Sequence, residues 1–214
     1  MWPPALPSPS CWCTDVNARR FVLPCIAVLL LSAGCLVRSV HPWLSDDSQV
    51  AEPSLAGTWR DDNAKTTAAF TGEKGSYTLD VTDRRQETST LTASLHCIGD
   101  TLLLQIGPAE PEGFNAFALL PAHILYKADL EGNVLSLYPV DLESFEARAA
   151  EASLSLLAEG SKDNGYVLTG SPEDVQAFLI RQADAPGFFA STPHYRLTRQ
   201  PPGAEPLPAA PSPH

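Results

Sequence analysis

Three kinds of side chain in this sequence could do chemistry: histidines, cysteines and clustered carboxylates. The five histidines stand at positions 41, 96, 123, 194 and 214. None has a second histidine within five residues, so the His-Glu-x-x-His spacing that aims two imidazoles at one zinc ion is absent. Gly-x-Ser-x-Gly, which lifts a serine onto a strand-to-helix elbow, is absent too. Gly72-Glu73-Lys74-Gly75 and Gly160-Ser161-Lys162 lack the spacing of a phosphate loop, and no Gly-x-Gly-x-x-Gly occurs. His96 and Cys97 are adjacent, but neighbours on a strand face opposite sides, so they make no dyad. Cys97 alternates with Leu95 and is expected as a small buried hydrophobe. His123 lies in Pro121-Ala122-His123-Ile124-Leu125-Tyr126. It reads as a half-buried strand histidine bonded to a backbone carbonyl, with a pocket residue or general base as the alternative. Asp61-Asp62-Asn63 and Glu110-Pro111-Glu112-Gly113 lack the calcium-loop pattern and read as solvated turns. The sequence nominates no catalytic residue, no metal ligand and no cofactor. Its candidate binding residues are Trp59, His123 and Tyr126.

The elements that would position these residues are mostly strands. The stretches 55–60, 77–82, 89–98, 101–106, 118–130 and 133–140 are rich in Thr, Leu, Val and Ile. Gly99-Asp100 is a hairpin turn signal, and Glu131-Gly132 or Gly132-Asn133 closes another. Ile124, Tyr126 and Ala128 should point to one side, and Leu125, Lys127 and Asp129 to the other. The period then changes. Residues 141–160 read as a helix capped by Asp141 and ending at Gly160. A short strand at 166–170 precedes a second helix over 171–184, where Ser171 caps, Pro172 opens the first turn and Asp174 completes a capping box. A closing strand is expected at 194–199. The fold class is α+β: an antiparallel β-meander with two late helices.

Gly57-Thr58-Trp59 on the first strand, with an arginine on the last, resembles the Gly-x-Trp signature of lipocalin-type barrels. The resemblance implies a barrel-like closure, with Trp59 sealing one end and Arg199 or Arg196 stacked over it. In this sequence the helices precede the closing strand instead of following it.

The N-terminus reads as an address. Arg19 and Arg20 precede an apolar run from Phe21 to Gly34, 14 residues long. A bilayer-spanning helix needs about 20 apolar residues, so the run reads as a secretory signal peptide. It ends Leu31-Ser32-Ala33-Gly34-Cys35, which resembles the lipobox of bacterial lipoproteins. The likeness implies cleavage between Gly34 and Cys35 and a diacylglycerol on the Cys35 sulfur, with acyl chains such as palmitate. Ser32 stands where that family usually has Leu. Leu36, not Asp, follows the cysteine, which within the same resemblance favours an outer membrane over an inner one. Residues 1–18 are too long for a signal peptide's basic region, so translation is expected to start later, with Val16 as the candidate. A plainly secreted protein is the alternative.

Residues 36–53 read as a polar tether, 54–199 as the globular domain, and 200–214 as a disordered tail with six prolines. Five cysteines, unevenly placed, make no disulfide framework. The net charge of −11, or −12 once residues 1–34 are removed, excludes a general phosphate-backbone binder, so no nucleic-acid partner is expected. The expected partners are the lipid bilayer, through Cys35, and a small apolar ligand or another envelope protein. The expected function is a membrane-anchored, non-enzymatic envelope lipoprotein. The alternative is an enzyme with its site near His123.

Overall fold

A computed structural model describes residues 36–61, 63, 65–109, 122–158 and 165–201. Among these residues eleven strands and two α-helices follow in order. The strands are β1 (Leu36–Ser39), β2 (Gly57–Asp61), β3 (Thr66–Glu73), β4 (Ser76–Thr82), β5 (Thr88–Ile98), β6 (Thr101–Pro108), β7 (His123–Glu131), β8 (Val134–Pro139), β9 (Leu156–Ala158), β10 (Gly165–Leu168) and β11 (Tyr195–Arg199). The helices are α1 (Leu142–Glu151) and α2 (Pro172–Gln182).

Strands β2 to β8 run as an uninterrupted antiparallel meander. β11 then pairs antiparallel with both β8 and β2. The result is a closed eight-stranded antiparallel barrel, which removes every free sheet edge from the meander itself. The closure expected from Gly57-Thr58-Trp59 is present. β3 was not foreseen in the sequence: its Ala and Gly content hides the alternation that buries Thr66, Ala68 and Phe70. Its hairpin to β4 turns at Lys74-Gly75, both at positive φ, with Glu73 paired to Ser76. The turns at Gly99-Asp100 and Gly132-Asn133 lie where expected.

β7 places Ile124, Tyr126 and Ala128 in one core and Leu125 in another. The first core fills the barrel with Trp59, Phe70, Tyr77, Leu79, Leu95, Leu104 and their neighbours. The second lies outside the wall. Leu103 and Leu125 face outward there and pack with Phe145 of α1 and Val175, Phe178 and Leu179 of α2. Trp43 and Phe188 complete it.

The stretch expected as a tether belongs to the fold. β1 pairs in parallel with β10 and antiparallel with the start of β7, and β9 flanks β10. Leu36, Val37, Trp43 and Leu44 are buried. The correction has a plain cause: these apolar residues are spaced among polar ones with no repeating period, so only the tertiary contacts reveal their burial. The tail beyond residue 201 and the segment 1–35 lie outside the described residues.

α1 also ends earlier than expected. Ser153 takes a left-handed φ of 57°. Leu154 N donates to Ala149 O, and Ser153 N donates to Ala150 O. This is a Schellman stop with serine in the place usually held by glycine. The chain then turns into β9 instead of continuing to Gly160. The caps were legible: Asp141 accepts from Ser144 N at 2.9 Å, and Ser171 Oγ accepts from Asp174 N at 3.2 Å.

Candidate functional site

Each of the three expected binding residues finds a definite place. Trp59 is fully buried at one barrel end, and its Nε1 donates to Leu55 O at 2.8 Å. The Arg199 guanidinium lies 4.6 Å from the Trp59 ring centroid and donates to Ala56 O at 3.0 Å. Arg196 is exposed, so Arg199 alone is the stacking partner. Gly57 sits at φ +131°, and a Cβ there would stand 2.9 Å from Arg199 Nη1. The glycine therefore supplies both the backbone angle and the room for the guanidinium. Leu55 is buried against the barrel core, and Val50 N donates to Leu95 O, so the segment before β2 crosses this end and seals it.

Tyr126 lies toward the opposite end, where β7 starts and β11 begins. Its ring is 6.3 Å from His194 and 6.1 Å from Tyr195, which stack on each other at 4.4 Å. The Tyr126 hydroxyl is buried and has no hydrogen-bond partner among the described residues. Burial pushes the Tyr126 phenol well above its ordinary range, and neighbouring Tyr195 adds to this. Burial also raises Tyr195, with buried Asp61 pushing the same way. His194 is lowered by burial, against the opposing pull of Asp61. The cluster holds neutral aromatic rings at ordinary pH and offers no base of phenolate type. His194 was not foreseen as a member; its position just before the closing strand, beside Tyr195, was the available signal. Asp61, expected in a solvated turn, is instead buried at the end of β2, where it accepts from Asn63 N at 2.8 Å. Asp62 and residues 110–113 lie outside the described residues.

His123 is not brought to Tyr126. It opens β7 on the outer face, half-buried. A Cβ at Gly107 would stand 2.7 Å from His123 Nδ1, so the ring rests on bare glycine backbone. Nδ1 is buried without a partner among the described residues; the carbonyl bond expected for the ring is absent there at that atom. The His123 backbone O instead accepts from Trp43 Nε1 at 3.1 Å. Burial lowers the imidazole, and His41 acts in the same direction.

A second histidine carries more structure than the sequence suggested. His96 is fully buried on the outer face of β5, under a short 3-10 turn at Asp46–Ser48. Its Nδ1 lies 2.9 Å from Ser48 Oγ and its Nε2 2.8 Å from Ser94 Oγ. Ser48 Oγ donates to Ser45 O, so it must accept from His96 Nδ1–H. Gln105 Nε2 donates to Ser94 Oγ, and Gln105 Oε1 accepts from Trp43 N and Leu44 N. The chain of bonds has one direction and specifies a neutral imidazole protonated on Nδ1. It clasps residues 43–48 to the barrel wall. Burial pushes His96 down to about 4, with Asp46 opposing.

Cys97 is exposed, contrary to expectation. It does share the inward side of β5 with Leu95, but it lies past the packed interior, beside the Gly99 turn. Alternation gave the right side and the wrong depth. Gly34 and Cys35 lie outside the described residues.

A shallow groove of about 330 Å³ runs between the end of α1 and α2, lined by Ser153, Ser155, Thr169, Asp174 and Arg181. Among the described residues no group of three or more His, Cys, Asp or Glu is placed to hold a metal ion. No helix among them is long and apolar enough to cross a membrane. No family model, no curated protein and no solved structure matches this chain.

Proposed function

We propose that this chain is a lipid-anchored protein of a bacterial cell envelope, held by an acylated Cys35, whose barrel is a non-enzymatic binding module. The observation that carries the reading is the succession Arg19-Arg20, the apolar run Phe21–Gly34, and Cys35. The cleavage site it implies lies one residue before Leu36, which is buried and paired in the sheet. One acyl chain holds a protein marginally and two hold it stably, so a diacylglycerol suffices as the anchor without a spanning helix. Leu36 after the cysteine favours the outer membrane, facing the periplasm, in a diderm source.

The packing favours a protein partner over a small apolar ligand. Trp59, Phe70, Tyr77, Leu104 and Tyr126 fill the barrel where lipocalin-like folds would keep a ligand cavity. Recognition then falls to the outer surface. The test is the intact mass of the mature protein isolated from its native envelope, beside Cys35→Ser. A chain beginning at Cys35 and carrying two or three acyl chains supports the anchor. An unlipidated, soluble product overturns it and leaves simple export.

A further inference from the structure

We infer that the wing formed by β1, β10 and β9 faces the bilayer, so that the barrel is held in one orientation against the phospholipid headgroups; this rests on the acylation of Cys35. Lipid anchors are commonly followed by a flexible spacer, and a domain on a long spacer can take any orientation. This chain has no such spacer. Leu36, the residue after Cys35, is 3% exposed and paired with Gly165. Gly165 sits at φ +113°, and a Cβ there would stand 2.3 Å from Leu36 O, so the two backbones are in close contact. The anchor point is therefore one residue from a rigid sheet.

The wing's composition suits that neighbour. Leu157, Val167 and Arg38 stand side by side across β9, β10 and β1, on the face shared with Leu36. Leu157 is 61% exposed, the most exposed of the large hydrophobic residues described. Strand spacings place its Cα about 12 Å from that of Leu36, so it stands close to the anchor point. The eleven residues of the three strands include Arg38 and no Asp or Glu. In a mature chain of net charge −12, these three strands themselves bring no carboxylate toward anionic phosphates. An exposed apolar side chain such as Leu157 is also what the headgroup boundary accepts.

The test uses the mature lipidated protein in vesicles of phosphatidylethanolamine and phosphatidylglycerol. Leu157→Cys and Asn133→Cys are each made with Cys97→Ser and labelled with a polarity-sensitive fluorophore. Asn133 lies in the β7–β8 turn, about 30 Å from the row of Leu157 along the strand direction. The expected result is a blue-shifted emission at 157, quenched several-fold by bromine-bearing lipid, with water-like, unquenched emission at 133. Equal, water-like emission at both sites on vesicle-bound protein overturns the orientation and leaves the anchor intact. Protein that fails to float with the vesicles, as Cys35→Ser should, overturns the anchor itself and the orientation with it.

Discussion

His96 is the residue on which the pH response of the fold rests. Its folded value of about 4 lies below the ordinary imidazole value of 6.5 because burial penalises the charged ring. Between those values the unfolded chain binds a proton that the folded chain does not, so stability is highest above pH 6.5 and falls as pH drops toward 4. The slope from this one residue approaches about 1.4 kcal/mol per pH unit. His123 and His194 are also lowered and act with the same sign. His96→Gln should therefore flatten, without abolishing, the decline in urea-unfolding free energy between pH 6.5 and 4. An unchanged slope would remove His96 from the account. Tyr126 makes the opposite kind of prediction. Its hydroxyl is buried with no hydrogen-bond partner among the described residues, so it carries a desolvation penalty with no compensating bond there. Tyr126→Phe should leave stability unchanged or raise it by about 1 kcal/mol, read as a thermal midpoint no lower than that of the parent. A midpoint several degrees lower would mean that the hydroxyl is satisfied in solution.

At the scale of elements, the stop of α1 shows how a serine can do a glycine's work. The Leu154 and Ser153 amides close the Schellman bonds, and Leu154 packs partly buried against the outer core. Those contacts hold Ser153 at φ 57°, which an L side chain adopts at a cost. Ser153→Gly should relieve it and stabilise the protein by about 0.5–1 kcal/mol, measured by urea unfolding. A loss of stability would indicate that the Ser153 side chain makes a bond worth more than the strain. The two helix starts behave as simple caps, and both were legible because a cap is a contact between residues three apart. The clasp at residues 43–48 was not legible. It joins Trp43 to Gln105 and Ser48 to His96, across 62 and 48 positions.

The whole molecule is decided by closure. Seven strands follow one another as neighbours, but the eighth must travel back over two helices to pair with the first. The Arg199–Ala56 bond spans 143 positions. Contacts so distant in sequence carry the loop-closure cost of folding, so this barrel should fold slowly for its size. Leu197, buried on β11 in the barrel core, is where closure can be broken. Leu197→Asp puts a carboxylate into that core and should cost more than about 3 kcal/mol, enough to abolish a cooperative thermal transition. A transition within a few degrees of the parent's would mean that the barrel does not depend on β11.

What local chemistry governs, the sequence determined alone. The meander strands other than β3, the hairpins at Gly99 and Gly132, both helix caps and the Gly57-Thr58-Trp59 stretch each rest on residues a few positions apart or on a repeating period. The side on which Tyr126 points followed from alternation in the same way. Only the tertiary structure decided depth and company. It placed His123 outside the wall and Tyr126 beside His194, left Cys97 exposed past the end of the packed interior, and drew residues 36–53 into the fold. A strand's period fixes which face a side chain takes, whereas burial depends on what other elements bring to that face. Those partners come from as far as 48 to 143 positions away, where no local pattern records them.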